Sequence, residues 1–210
     1  MTDGHARVYL HCMEFSFADD LRLENGRILL RPLTLEDIPG LLPPAMADPT
    51  LLQYSPLPIH SEDLLTTYVR GALEDRARGI RYPLVAIDKS AAGGARHAGC
   101  TSFAGVSNED KRLEIGWTWY SPEFHRTGLN RNGKFLMLQY AFEVLSFERV
   151  EFRADSLNQR SRTAMERLGA RYEGCLRSYR YRQDGTRRDN VYYSILKGEW
   201  PEVKANFPLR

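Results

Sequence analysis

Apolar positions along the chain change their spacing several times, and each change marks a new element. After the stretch HSED at 60–63, apolar side chains recur every three or four residues as far as Leu73, which predicts an amphipathic helix. The same spacing returns from Leu129 to Leu145 and predicts the most regular helix of the chain. Between the two helices lie three strand-like segments, at 81–88, 96–105 and 111–120, separated by turn-forming residues.

The rest of the chain alternates between strand and helix patterns. A strand that starts at Arg27 runs into a short helix with Thr34 as N-cap and Asp37 three residues later. The other predicted elements are a strand at 149–154, a helix at 156–168 closed by Gly169, hairpin strands at 176–183 and 190–196, and a short terminal helix near 199–207. This order predicts an α+β, or mixed α/β, domain around one central sheet.

The composition favours a single domain. The chain has 210 residues, 42% of them hydrophobic, and no Pro-, Gly- or Ser-rich linker divides it. We expect one domain at 27–210 and an aromatic-rich extension at 1–26 that packs on this domain or on a neighbouring subunit. The sequence leaves a homodimer open.

Charge and cysteine usage exclude several classes of protein. The 29 basic and 27 acidic side chains nearly balance, which argues against a domain held to nucleic acid by bulk electrostatics. Cys12, Cys100 and Cys175 lie far apart without ligand spacing to a histidine, so we expect reduced thiols and no metal site. The N-terminal residues do not resemble a signal peptide, and no apolar run approaches the roughly 18 residues of a membrane span. A soluble, cytoplasmic protein is expected.

A candidate anion site precedes the helix at Leu129. The segment SPEFHRTGLNRNGK places Arg126, Thr127, Gly128 and Asn130 at the predicted N-terminus, where free backbone amides and the helix dipole attract anions. An ordinary strand-to-helix turn explains the same residues equally well. The segment matches neither a Walker loop nor a dinucleotide-binding loop.

Ser161 is a polar residue on an apolar stripe. The stripe of the helix at 156–168 runs through Leu157, Ala164, Met165 and Leu168. A hydroxyl in this position either bonds back to a carbonyl one turn earlier, which is the commoner case, or faces a cleft.

Glu114 lies on the strand LEIGWTWY at 113–120. Alternation along this strand places on one face Leu113, Ile115, Trp117 and Trp119, and on the other Glu114, Thr118 and Tyr120. A lone carboxylate on a half-buried strand is usually a solvated surface group and less often an acid that faces a cleft.

Four ordered blocks together resemble the GNAT superfamily of N-acetyltransferases, and within it the RimJ/RimL-like group that acetylates the N-termini of ribosomal proteins. They are RILLRPLTLED, EIGW, FHRTGLNRNGKFLML and DSLNQRSRTAMERLGARYEG, and the resemblance extends from about Arg27 to Leu196. It implies a mostly antiparallel, twisted sheet that is splayed in the middle, with helices on both faces.

The resemblance also implies an acetyl-CoA site without a metal. The loop from His125 to Asn130 is similar to the family's pyrophosphate loop, although only Gly128 matches its pattern strictly and Arg126 would supply charge. The implied coenzyme-binding residues are Trp119, Tyr120, Arg126, Thr127, Gly128, Leu129, Asn130 and Asn158. Glu114 is implied as the general base, and Ser161 as the hydroxyl that donates to the departing thiolate.

The function implied is transfer of an acetyl group from acetyl-CoA to a primary amine by direct attack on the thioester. The favoured acceptor is the N-terminal α-amino group of a protein or peptide. Acetylation of a small amine such as an antibiotic or polyamine, and a non-catalytic acyl-CoA sensor, stay open. The terminal hairpin carries five arginines, which form either a solvated edge or a docking surface for a ribosomal or other acidic partner: Arg177, Arg180, Arg182, Arg187 and Arg188.

Overall fold

The computed structural model describes residues 13–55, 57–90 and 94–207. Over these residues the chain forms eight strands and five α-helices. The strands are β1 (Leu23–Glu24), β2 (Ile28–Pro32), β3 (Arg81–Asp88), β4 (Arg96–Ser107), β5 (Arg112–Tyr120), β6 (Arg149–Asp155), β7 (Arg171–Tyr181) and β8 (Arg187–Leu196). The helices are α1 (Ile38–Met46), α2 (Glu62–Ala77), α3 (Leu129–Gln139), α4 (Gln159–Arg167) and α5 (Trp200–Ala205).

All eight strands belong to one sheet, in the order β1-β2-β3-β4-β5-β6-β8-β7. Each neighbouring pair is antiparallel except β5 and β6, which are parallel. The predicted mixed α/β fold with a mostly antiparallel sheet is therefore confirmed. The connection from β5 to β6 runs through α3, as a crossover between parallel neighbours requires.

Two apolar cores lie on opposite faces of the sheet. The larger core packs α3, α4 and α5 against residues such as Phe103 and Tyr193. The smaller core packs Leu41 of α1 and Leu65 of α2 against the other face. Each fully buried leucine of this kind contributes about 1.5–3 kcal/mol of transfer free energy. Helices therefore cover both faces, as the resemblance implied.

Side-chain caps lie at the start of the 3-10 turn Leu35–Asp37, which leads into α1, and at the start of α2. Thr34 and Asp37 form the predicted capping arrangement, because the Thr34 amide donates to Asp37 Oδ2 at 2.9 Å. Ser61 Oγ accepts from the Leu64 amide at 3.3 Å and caps α2. At the other end of the chain, α5 confirms the predicted terminal helix.

Residues 13–26 pack on the domain through aromatic contacts. The ring of Phe15 is buried and meets Tyr82 and Phe103 edge-on, with centroids 5.4 and 5.6 Å apart. The Tyr82 hydroxyl in turn accepts from the Leu21 amide at 2.9 Å. The first twelve residues of the predicted extension, including Cys12, lie outside the described residues.

Several element boundaries differ from the sequence-based predictions. Strand β7 begins at Arg171 rather than at 176, and α3 ends at Gln139, where one π-helical turn at Tyr140–Val144 continues it. Helix α4 begins at Gln159 rather than at 156, because the side chain of Asn158 caps it. Leu157 therefore precedes the helix and is 63% exposed, so its assignment to the apolar stripe was wrong.

Candidate functional site

The sheet is open between β5 and β6. These strands pair only through Arg112–Glu114 and Arg149–Glu151. Beyond Glu114, β5 continues beside β4 alone, while β6 continues beside β8. The resulting opening leaves two strand edges whose backbone donors and acceptors are available to an extended ligand.

A β-bulge in β5 marks the start of this opening. The register with β4 shifts here, and Trp117 has a φ of 48°. Beyond the bulge, Tyr120 joins the larger core with Leu113, whereas Trp119 joins the smaller core. The predicted alternation placed Trp119 on the face of Leu113 and Tyr120 on the face of Glu114, and it is wrong. One extra residue in the bulge moves every later side chain of β5 to the opposite face of the sheet.

Trp119 and Tyr120 were implied as coenzyme contacts. Their side chains are 3% and 5% exposed and fill the two opposite cores. The Tyr120 carbonyl accepts from Nε2 of His125 at 2.9 Å. At these two positions it is therefore the backbone, rather than the side chains, that borders the opening.

The loop between β5 and α3 ends in a left-handed glycine. Gly128 is the N-cap of α3 with a φ of 88°, a conformation that glycine adopts without strain. The Thr127 hydroxyl donates to the Phe124 carbonyl at 2.9 Å and accepts from the Leu129 amide at 3.3 Å. Among the described residues, the amides of Gly128 and Asn130 have no hydrogen-bond acceptor. Two amides at the positive end of α3 are thus free to bind an anion.

Asn130 lies in the first turn of α3. Its Oδ1 atom is buried and has no hydrogen-bond donor in the part of the chain that the structure describes. Buried carbonyl oxygens normally have a partner, so this atom lacks one that a ligand or a water molecule could supply.

Basic side chains surround the same loop. Arg126 is exposed beside Gly128, and its own φ of 64° is left-handed. Burial lowers the pKa of His125, and the nearby charge of Arg160 lowers it further, so His125 is neutral at pH 7 and donates through Nε2. The Asp48 carboxylate, from the segment after α1, also lies within the electrostatic reach of Arg160 and His125. Arg160 lies in the first turn of α4 and His125 lies just before α3, so the starts of the two helices are close together. Sequence spacing could not show this proximity.

Asn158 and Ser161 lie at the start of α4. Asn158 Oδ1 accepts from the Ser161 amide at 3.0 Å, which fixes the asparagine side chain at the end of the helix. The Ser161 hydroxyl forms no hydrogen bond with any described residue, and in particular none to a carbonyl one turn earlier. Both side chains are half-buried. The Ser161 proton is therefore available to a ligand.

Glu114 lies at the narrow end of the opening. Its side chain is 6% exposed and forms an ion pair with Arg153. Arg153 belongs to β6 and lies two residues beyond Glu151, the last β6 residue that pairs with β5. The guanidinium of Arg153 also lies over the ring of Tyr192, 5.6 Å from its centroid. Arg153 was missed by the sequence-based prediction, because it is 39 residues from Glu114 along the chain and no local pattern links the two.

The arginines of the terminal hairpin divide into two groups. Arg182 binds the buried Asp155 through two nitrogens, at 2.8 and 3.0 Å, and Arg188 is buried and donates to the Tyr54 carbonyl. Arg177 and Arg180 are exposed and form no ion pair with the described residues. Arg187 belongs with the first group, because it is exposed but donates to the Ser178 hydroxyl at 2.8 Å. The side chains of the second group are therefore the ones available to an external partner.

Metal-binding clusters and membrane-spanning helices are both absent from the described residues. These residues contain no group of three or more histidine, cysteine, aspartate or glutamate side chains with metal-binding geometry. Within the same residues, no helix has both the length and the apolarity that a membrane crossing requires.

Comparisons with known proteins identify a family for this chain. The family description "Acetyltransferase (GNAT) domain" matches residues 27–171. The curated relative YdaF of Bacillus subtilis (strain 168), named as a candidate ribosomal N-acetyltransferase, is 36% identical over 106 residues, which are 50% of this chain and 57% of that protein. The match thus spans little more than half of the relative's length.

Solved structures share the fold over nearly the whole chain. A candidate acetyltransferase from T. thermophilus is 35% identical with a TM-score of 0.79, over 90% of this chain and 96% of that one. Mycobacterium smegmatis RimJ, solved with CoA-disulfide, is 21% identical with a TM-score of 0.70, over 90% and 91% of the two chains, and is similar in fold alone. The family match covers well over half of the sequence, so this chain belongs to the GNAT acetyltransferase family, as predicted.

Proposed function

We propose that this GNAT enzyme transfers the acetyl group of acetyl-CoA to the N-terminal α-amino group of a protein, with ribosomal proteins as the substrate class. The observation that carries the proposal is the opening between β5 and β6. Glu114 lies at its narrow end, and the loop with free amides follows the end of β5. One ligand with an anionic part and an extended amide-containing arm matches both features.

The charges of the loop support coenzyme A as this ligand. The free amides of Gly128 and Asn130 and the guanidinium groups of Arg126 and Arg160 would hold the diphosphate. Charge-assisted hydrogen bonds of this kind are about twice as strong as neutral ones. The arm would pair with the free edge of β5 near Trp119 and Tyr120, within reach of Asn158, while Thr127 and Leu129 shape the loop. Acetyl-CoA supplies the activated thioester, and the protein supplies orientation and proton transfer.

Glu114 is the proposed general base. An α-amino group has a reference pKa near 8, so most of the acceptor is protonated at neutral pH and must lose a proton before it attacks. Arg153 makes an ion pair with the Glu114 carboxylate and holds it at the narrow end of the opening. The carboxylate retains unoccupied lone pairs that accept this proton, directly or through water.

Ser161 is the proposed donor to the departing sulfur. When the amine nitrogen bonds to the carbonyl carbon, the carbon–sulfur bond breaks and the thiolate needs a proton or a hydrogen bond. The Ser161 hydroxyl has no described acceptor that competes for its proton. Backbone amides of the open strand would stabilise the oxyanion, a contribution of about 3 kcal/mol per donor in enzymes where it has been measured.

The choice of a ribosomal protein rests on two observations. YdaF, which shares 36% identity over half of this chain, is named as a candidate ribosomal N-acetyltransferase. Arg177 and Arg180 are exposed on the edge strand β7, where they would attract an acidic protein or the phosphates of RNA and repel a polycationic drug. We place the reaction in the cytoplasm, where ribosomal proteins are made.

Thiol release from acetyl-CoA tests the proposal. The purified protein is incubated with a panel that contains N-terminal peptides of ribosomal proteins, the same peptides with blocked N-termini, an aminoglycoside and a polyamine. We expect thiol release with the free peptides alone, and mass spectrometry should locate the acetyl group on the α-amine. Turnover with the small amines instead would assign the enzyme to small-molecule acetylation, and coenzyme binding without thiol release would make it a sensor.

A further inference from the structure

Helix α3 contains a buried lysine, Lys134, which has not been discussed so far. Lys134 is 6% exposed and has no ion-pair partner among the described residues. Burial alone lowers the pKa of its ammonium group to about 7. Burying a basic group without a carboxylate is costly, so its position needs an explanation beyond packing.

The ammonium group of Lys134 binds two threonine hydroxyls on neighbouring strands. Its Nζ atom lies 3.1 Å from Thr101 Oγ1 on β4 and 2.6 Å from Thr118 Oγ1 on β5. The two hydroxyl oxygens are 2.8 Å apart, and that of Thr118 lies 3.2 Å from the carbonyl oxygen of Gly116. Because Lys134 donates to both threonines, the Thr118 hydroxyl can donate to the Gly116 carbonyl, whose oxygen also lies 3.5 Å from Thr101 Oγ1. These hydrogen bonds therefore form a chain that links the ammonium group of Lys134 to the backbone of β5.

This chain ends at the bulge that opens the sheet. Gly116 is two residues beyond Glu114, the last β5 residue that pairs with β6. The next residue, Trp117, has a φ of 48°, and a bulky side chain in this region carries strain that the surroundings must hold. Gly116 itself has little room for a side chain, since a Cβ atom there would lie 3.0 Å from Glu114 Oε1.

We propose that Lys134 is a positioning residue, which through Thr101 and Thr118 holds the Gly116 carbonyl and so keeps the edge of β5 turned away from β6 for coenzyme binding. The inference rests on the proposed function, because the free edge matters only if a ligand arm pairs with it. It concerns binding of the coenzyme rather than of the acceptor. Leu113 and Ile115 belong to the core that packs against α3, so the Glu114 side chain between them points to the other face of the sheet. An acceptor bound at Glu114 should therefore not depend on this cluster.

Two substitutions of Thr118 give the sharpest test. Thr118→Val keeps the shape and removes the hydroxyl, whereas Thr118→Ser keeps the hydroxyl. We expect Thr118→Val to raise the KM for acetyl-CoA, and the Kd for coenzyme A by calorimetry, about tenfold, because the half-buried Gly116 carbonyl loses its nearer hydroxyl donor. The KM for the acceptor peptide should stay at the wild-type value, and Thr118→Ser should restore coenzyme binding. Lys134→Met should repeat the effect of Thr118→Val.

Several outcomes would overturn the inference. They are a wild-type KM for acetyl-CoA in Thr118→Val, equal rises in the KM values of both substrates, or a Thr118→Ser variant as weak as Thr118→Val. Loss of folding in Thr118→Val would also count against it, because the hydroxyl would then serve the fold instead of the opening. If Lys134→Met does not fold, the Thr118 pair decides alone. A wild-type protein that neither binds coenzyme A nor releases thiol refutes the proposed function itself, whereas active wild type with unaffected variants refutes only the role of Lys134.

Discussion

Two buried carboxylates, Asp37 and Glu114, both face an arginine but differ in how many of their lone pairs are used. Asp37 accepts from Arg31 at 2.5 and 2.9 Å, from His97 at 2.8 Å and from the Thr34 amide at 2.9 Å. Glu114 is bound by one group of the described residues, the guanidinium of Arg153. Asp37 therefore has no lone pair left for a further hydrogen bond, whereas Glu114 can still accept one.

The two sites differ in location as well. Asp37 joins β2 to the start of α1 and lies at 2% exposure beneath them, whereas Glu114 borders an opening. Burial raises the pKa of Asp37, but the hydrogen bonds from Arg31 and His97 outweigh burial and lower it overall. A fully bonded buried carboxylate stabilises the fold. A partly bonded one at an opening can take up a proton from a substrate.

Glu114→Gln should give the largest effect. Loss of a general base lowers kcat by about 10²- to 10⁴-fold, while the Kd for coenzyme A should change little. Steady-state kinetics and calorimetry measure both. Glu151→Gln is the matched control, because Glu151 is in register with Glu114 on β6 but binds Arg149. Equal kcat values for wild type and Glu114→Gln would remove Glu114 from the mechanism.

Asp37→Asn should act on stability alone. We expect a loss of about 2 kcal/mol in the free energy of unfolding, because Arg31 loses its charged partner. Since the folded pKa of Asp37 is lowered, its ionised form adds stability above the unfolded pKa near 3.9, and this stability disappears as the pH falls through the folded pKa. Unfolding curves of wild type and variant should therefore converge in acid. The exposed neighbour Glu36→Gln is the control, and a drop in kcat without loss of stability would contradict the comparison.

Ser161→Ala extends the comparison to hydroxyl groups. The Thr34 hydroxyl contacts Asp37, whereas that of Ser161 has no described partner. Removal of the proposed donor should lower kcat about tenfold and leave the Kd for coenzyme A nearly unchanged. Thr163→Ala, in the same helix, should behave like wild type. If turnover of Ser161→Ala equals that of wild type, Ser161 is not the donor to sulfur.

The smallest effect should come from the hairpin arginines. Arg182 binds the buried Asp155 and serves the fold, so the informative change is the double variant Arg177→Ala/Arg180→Ala. We expect kcat/KM for an acidic protein acceptor to fall about threefold, and the difference to vanish at high salt. Arg70→Ala/Arg167→Ala keeps the same net charge and should have no effect. An identical fall in both double variants would assign the effect to net charge.

Local patterns in the sequence predicted most of the fold. The strand limits 81–88 were right, as were the start of α3 after Gly128 and the cap formed by Thr34 and Asp37. Each depends on side chains a few residues apart. The helix limits near Asn158 were wrong because the cap there competes with the apolar pattern, and the side-chain cap determines the first helical residue.

The candidate site was less predictable, because its geometry depends on contacts between distant segments. No local signal indicates the bulge at Trp117, which reverses the faces of Trp119 and Tyr120. Lys134 follows a polar stretch and would be expected at the surface, yet Thr101 and Thr118 hold it in the interior. The resemblance to a family could indicate which residues bind the coenzyme or act in the reaction. It could not indicate which other side chains fix the positions of those residues.

The ladder of three paired positions between β5 and β6 also has a mechanical consequence. It divides the sheet into a five-stranded and a three-stranded portion, and each portion is continuous within itself. A ligand bound in the opening would contact both portions and connect them for as long as it stays bound. The stiffness of the whole protein would then depend on occupancy, and the free and loaded forms would differ in how readily the two portions swing apart.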